Sequence, residues 1–193
     1  KKKRSSFIML GHVTPQRAKT YGFNFKRWQK SMIDATTVSY SALTRFGKRV
    51  KARLEKAKEV QIMGKGAKLT LQLEGRPVYV YDGVVDEEDM KMGPTSYDAM
   101  LPAGYVSVAP IETSAKGTVQ FDLPVPQVGL LIQGLKWSFK DGKLTAYEAT
   151  KNVKTIKEWW QKAHGDRDKI GSLTFGINPK AKYGFLNNSA VLG

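Results

Sequence analysis

Residues Val60–Val78 read VQIMGKGAKLTLQLEGRPV, and the change of period at their start decides the fold class. Inside the stretch, apolar residues alternate. Val60–Met63, Leu69–Leu73 and then Val78–Tyr81 carry the strand period of two, separated by Gly64-Lys65-Gly66 and Gly75-Arg76-Pro77. Upstream the period is helical. Trp28, Met32, Ala35, Ser39, Ala42, Phe46, Val50, Leu54 and Ala57 recur at steps of three and four and predict one apolar stripe from Phe25 to about Glu59. Asn24 suits the cap of that helix, because its short side chain can accept from an exposed backbone N–H. Gly47 interrupts the stripe at a cost of about 1 kcal/mol relative to Ala and leaves room for a kink or a helix-turn-helix.

Upstream of Phe25, residues 1–24 read as a basic, irregular segment, with Gly11, Pro15 and Gly22 and no clean period. Downstream, DGVVDEEDM (Asp82–Met90) reads as an acidic turn and Lys91–Pro102 as a loop. Tyr105–Ala109 and Thr118–Leu123 are expected strands, and Pro124 and Pro126 are expected to stop regular pairing. Leu130–Phe139 and Leu144–Ala149 flank Asp141-Gly142, the strongest short hairpin signal. Val153–Ala163 is amphipathic, with Ile156, Trp159 and Trp160 on or near its apolar side, and Ser172–Ile177 is an expected last strand. The order is helix first, then strands: an α+β chain. Its expected division is 1–24, then one domain over 25–193, helical over 25–59, strand-rich over 60–150, helical over 153–163 and strand-bearing over 168–193.

The 193 residues are 41% hydrophobic and 25% charged, which excludes a mainly disordered chain. There is no cysteine, so disulfides, thiolate metal sites and a cysteine nucleophile are excluded. Only His12 and His164 are available for histidine chemistry. No apolar run is long enough to span a bilayer, and KKKRSS is not followed by the apolar run of a secretory signal, so a cytoplasmic protein is expected. The net charge is +15 and uneven: residues 1–59 carry 16 basic and 3 acidic side chains, residues 60–193 carry 16 and 14. Such a segment attracts phosphate backbones or acidic partners without sequence readout. It also suits solubility or, with high Lys and no cysteine, a heat-adapted composition. Lys1, Lys2, Lys3, Arg4, Arg45, Lys48, Arg49, Lys51, Arg53 and Lys56 are the candidate contacts to an acidic partner, RNA or a ribonucleoprotein assembly among them.

Generic motifs add little. GKGAK (Gly64–Lys68) superficially resembles a phosphate loop, but no Ser or Thr follows its final Lys and a strand comes next, so a hairpin turn is expected. Asp86, Glu87, Glu88 and Asp89 could gather a hard cation, yet consecutive acids seldom all face one ion. His164 is expected near a helix end, and Trp28, Trp137, Trp159 and Trp160 sit at spacings typical of core.

The order of six motifs is more specific. VQIMGKGAKLTLQLEGRPV, DGVVDEED (Asp82–Asp89), LPAGYVSVAP (Leu101–Pro110), GTVQFD (Gly117–Asp122), LIQGLKWSFKDGKLTAYEATKN (Leu131–Asn152) and IGSLTFGINP (Ile170–Pro179) together resemble the thermophilic metalloaminopeptidases, the aminopeptidase T and S group. The likeness runs from about Phe25 to the last residue. It implies a long N-terminal helix packed on a strand-rich, mixed-sheet, barrel-like domain, which holds two divalent ions that activate water to remove N-terminal residues from peptides. It implies one glutamate ligand where this chain has Tyr105 and a second where it has Ser172. A further acid corresponds to Asn187 or Asn188 in LNNSAVLG, and the family's histidine and aspartate ligands lie beyond Gly193. A Thr-Asp pair of the family is replaced by Ala67-Lys68. A tyrosine hydroxyl, with an ordinary pKa near 10, a serine and an asparagine are all neutral at pH 7, and neutral groups do not hold two dications together. The expectation is an inactive, cofactor-free, aminopeptidase-like domain that binds through its basic surface. Two alternatives stand beside it. One is a piece of an active enzyme, with Asp86, Glu87, Glu88, Asp89 or Asp98 recruited as ligands. The other is an assembly module, since the resemblance implies pairing of copies.

Overall fold

The change of period at Val60 marks a change of secondary structure. The computed structural model describes residues 7–10, 12–93, 96–127 and 129–182. In chain order the elements are β1 (Phe7–Leu10), α1 (Pro15–Tyr21), α2 (Phe25–Thr36), α3 (Tyr40–Leu54), β2 (Glu59–Gly64), β3 (Ala67–Gln72), β4 (Val78–Tyr81), α4 (Glu87–Met92) and β5 (Asp98–Leu101). They continue with β6 (Tyr105–Val108), β7 (Lys116–Gln120), β8 (Val125–Gln127), β9 (Leu130–Ile132), β10 (Lys136–Lys140), β11 (Lys143–Glu148), α5 (Val153–Lys162) and β12 (Leu173–Gly176). The fold is α+β. No described helix is long and apolar enough to cross a membrane.

The chain divides into two compact units. The first comprises residues 1–51, 79–106 and 175–193, and the second residues 52–78 and 107–174. The second is built on a five-stranded sheet in the order β11-β10-β7-β3-β2, antiparallel at every step. GKGAK closes the β2–β3 hairpin, with Gly64 opposite Ala67. Asp141 and Gly142, at φ 49° and 78°, turn β10 into β11 through the left-handed region that this dipeptide tolerates. Leu69, Leu71, Ala115 and Phe139 form one core cluster, and Ile132, Leu135 and Ile156 another. Two expectations are corrected. Pro126 does pair, opposite Leu131, because β8 and β9 form a two-stranded ribbon in which each strand is an edge and the missing N–H can face outward. The single strand expected over Leu130–Phe139 is two, parted where Gly134 takes φ 60°.

In the first unit the segment expected to be irregular carries β1 and α1. Thr14 caps α1 by accepting from the Arg17 N–H, Pro15 starts it and Gly22 ends it at φ 69°. Asn24 caps α2 as its sequence suggests, accepting from the Arg27 N–H. Val13, Ala18, Trp28 and Met32 form the core beneath these helices, with Tyr21, Phe23 and Phe25 against it. β1 pairs in parallel with β5, so the expected loop Lys91–Pro102 contains a strand. Strands β12, β6 and β4 form a further sheet in that order, and the division of the chain falls within each of them.

The helical stretch expected over 25–59 is interrupted at residues 37–39. The β-branched run Thr36-Thr37-Val38 is a poor helix former, and Ser39 then restarts the chain by accepting from the Ala42 N–H. This break resets the phase of the apolar stripe. Trp28, Met32 and Ala35 are buried as expected, but in α3 the buried face runs through Leu43, Gly47 and Leu54, and Phe46 is 47% exposed. Gly47 does not break the helix, since α3 runs through it, and an added Cβ there would stand 2.5 Å from Val80 Cγ1 and 3.2 Å from Ile177 Cδ1. The glycine lets α3 lie close against that strand.

Candidate functional site

Tyr105 opens β6, and its ring stacks on Tyr81 of the neighbouring strand β4, with centroids 4.5 Å apart and planes at 17°. Burial pushes the Tyr105 hydroxyl up to about 12, and the nearby Tyr81 and Asp98 add to the shift. Burial likewise raises Tyr81, reinforced by Tyr79, Asp98 and Asp89. Tyr79, Tyr81, Asp82, Asp89, Met92 and Asp98 line a groove of about 500 Å³, open mouth included. Val78-Tyr79-Val80-Tyr81 explains the tyrosines' side of it, because strand alternation sends both rings to the face opposite the valines.

Asp82 and Asp89 of this groove are engaged. Asp82 is only 8% exposed; its Oδ2 accepts from Thr44 Oγ1 at 2.5 Å and its Oδ1 from the Val84 N–H at 3.0 Å. The run expected as an acidic turn is helix α4, closed by a capping box: Asp86 accepts from the Glu88 and Asp89 N–H groups, and Asp89 accepts from the Asp86 N–H. Burial raises the Asp89 carboxyl, the hydrogen bond from the Asp86 N–H opposes the rise, and the neighbouring Asp86, Asp82 and Glu88 charges add to it. For Asp86 slight burial is outweighed by the two N–H donors and the Lys48 ammonium, which hold it below the usual range. Among the described residues no group of three or more His, Cys, Asp or Glu side chains is placed to hold a metal ion. Ser172 lies in the second unit, exposed, just before β12. Asn187 and Asn188 lie outside the described residues.

Helix α3 has three faces. At 100° per residue, Leu43 and Gly47 share the buried one. Thr44, Lys48 and Lys51 share a flank turned to the acidic segment: Thr44 on Asp82, Lys48 Nζ 3.7 Å from Asp86 and Lys51 Nζ 3.8 Å from Glu88. Arg45, Phe46, Arg49 and Arg53 occupy the third, and all four are exposed. None of these three arginines has an acidic partner among the described residues. Lys56 is exposed just past the helix end. The sequence treats the six cations of residues 45–56 as one cluster, whereas the structure sorts them by partner. Lys1, Lys2, Lys3 and Arg4 lie outside the described residues.

His12 and His164 are both exposed, each in a different unit. Trp28 is fully buried, and Trp137 packs edge-on against Phe121 at 5.0 Å. Trp160 is half-buried beside Tyr147, with the Arg167 guanidinium 5.9 Å above its ring. The Trp159 side chain lies outside those described.

Comparison with known proteins fits this architecture. Wild-type AmpT from Thermus thermophilus superposes with a TM-score of 0.65 at 20% identity, covering 79% of this chain and 38% of its own. The 2,5-dihydroxypyridine dioxygenase from Pseudomonas putida KT2440 superposes with a TM-score of 0.62 at 15% identity, covering 89% of this chain and 50% of its own. The chain thus spans half or less of the length of either structure. No curated protein matches it by sequence. The pattern of the thermophilic metalloprotease (M29) family matches residues 31–171, most of the chain. This chain belongs to that family.

Proposed function

We propose that this domain has the fold of a metallopeptidase without its two-metal chemistry, and that it serves as a binding scaffold for an acidic partner through its basic helix. The observation that carries the first half is the state of Tyr105. The resemblance implies a glutamate at this position, and a pair of divalent ions needs carboxylates to offset their mutual repulsion. The phenol here is neutral far above pH 7, its hydroxyl pushed up to about 12 by burial, and its ring is stacked on Tyr81. Ser172, at the second implied glutamate, carries no charge either. Asp82, the most buried acid of the groove, is taken up by Thr44 and the Val84 N–H. This donor set does not fit two dications. The family is one of metalloproteases while one structural neighbour is a dioxygenase, so a shared fold leaves the chemistry to the site.

The test is metal analysis of the purified protein together with hydrolysis of chromogenic amino-acid amides. The expected result is substoichiometric metal and no chelator-sensitive release of chromophore. Near-stoichiometric cobalt, zinc or manganese with turnover that a chelator abolishes would overturn the reading. It would make the chain part of an active aminopeptidase with other acids recruited. Light scattering separates a monomeric binder from a homo-oligomeric assembly module.

A further inference from the structure

We propose that the acid-free face of α3 is a binding platform for single-stranded nucleic acid, with Arg45 and Arg49 on phosphates and the Phe46 ring under a base; this rests on the scaffold reading above and names its ligand class. Three observations converge on one helical sector. First, Arg45 and Arg49 are exposed and have no acidic partner among the described residues, while Lys48 and Lys51 of the same helix are turned to Asp86 and Glu88. The acidic segment therefore neutralises one flank of α3 and leaves the positive field on the other. Second, the cations left over are arginines, whose planar guanidinium meets a phosphate through two parallel hydrogen bonds where a lysine offers a point charge. Third, Phe46 borders the same sector, three residues before Arg49, and is 47% exposed.

The exposed phenyl ring gives this cationic face an apolar surface that charge alone does not supply. A duplex-binding face needs charge but not a free aromatic surface. Single-stranded nucleic acid uses both, because a cationic track follows the backbone and an aromatic ring stacks on any base. Arg53, one turn further along the same helix face, would extend the track.

The experiment is a fluorescence-anisotropy titration of the full chain with a labelled oligouridylate, repeated across salt concentrations. Binding is expected to weaken with salt, with a log–log slope of about −0.7 for each phosphate neutralised. Replacing both Arg45 and Arg49 by Ala should flatten that slope by about 1.4. Phe46→Leu should weaken binding about fivefold to 150-fold for one lost stack while leaving the slope in place. Phe46→Trp should retain affinity, and a duplex RNA should be indifferent to Phe46→Leu. A loss shared by Phe46→Leu and Phe46→Trp would overturn the stacking role. Oligouridylate binding that ignores the Arg45/Arg49 and Phe46 variants would overturn the platform and leave the scaffold reading standing. So would binding to polyglutamate without binding to oligouridylate. Binding to neither polymer would overturn the scaffold reading itself.

Discussion

Gly47 tests whether α3 lies as close to β4 as the structure places it. A Cβ at this position would stand 2.5 Å from Val80 Cγ1, against an optimum of roughly 3.5–4.0 Å between carbons. Val80 is β-branched, half-buried and in a strand, so its methyl cannot swing away freely. Overpacking of this kind costs about 1–3 kcal/mol. Alanine in a helix interior returns about 1 kcal/mol relative to glycine. Gly47→Ala should therefore destabilise the protein by about 0–2 kcal/mol, the difference between those two effects. The sharper quantity is the coupling to Val80. With Val80→Ala already in place the clashing methyl is gone, and only the flexible tip of Ile177, 3.2 Å away, needs to yield. In that background Gly47→Ala should stabilise by up to about 1 kcal/mol. A double-mutant cycle read from urea midpoints, with m-values unchanged, measures the coupling at about 1–3 kcal/mol. Equal effects of Gly47→Ala in both backgrounds, or full stabilisation in the wild type, would refute the close approach.

Thr44→Val removes the hydroxyl that donates to the buried Asp82 carboxylate, and a hydrogen bond to a charged group is worth about 1.5–3 kcal/mol; a melting temperature that does not fall argues against that contact. Asn178 Nδ2 donates to the carbonyls of Ala35 and Ala103, at 2.9 and 2.7 Å, so Asn178→Ala should cost about 1–3 kcal/mol in urea unfolding, and a neutral result would mean those carbonyls find other donors. Tyr105 ionises near pH 12 when folded and near 10 when unfolded. Its stabilising contribution is complete below about pH 10 and disappears as pH rises through 12, since only the unfolded phenol gives up its proton in that window. Phenolate absorbance should show a late-ionising tyrosine that Tyr105→Phe removes, and a Tyr105 that titrates with the exposed tyrosines contradicts the burial argument.

Local signals placed most elements. Alternating runs parted by glycine turns located β2, β3, β4 and the Asp141–Gly142 hairpin, and the Trp28–Met32–Ala35 spacing identified the buried side of α2. Two elements were written in signals equally local: Thr14-Pro15 and Gly22 bracket α1, and Asp86 with Asp89 forms the capping box of α4. The family likeness was legible because six motifs in one order depend on the chain alone. Equally legible was that Tyr105 and Ser172 bring no charge where the resemblance implies acids.

Which partner each residue meets depends on packing through space. Periodicity carries a helix phase only until the helix breaks. The interruption at residues 37–39 moved the buried stripe from Phe46 to Leu43 and Gly47 and left the phenyl ring outside. A charge count gives a sum, but only folding brings Asp86 and Glu88, more than thirty residues along the chain, to Lys48 and Lys51 and leaves Arg45 and Arg49 without acids. Likewise the Tyr105 hydroxyl owes its shift to burial against Tyr81 and Asp98. Dihedral preferences act between chain neighbours and so are encoded locally, whereas desolvation and Coulomb interactions depend on distance through space.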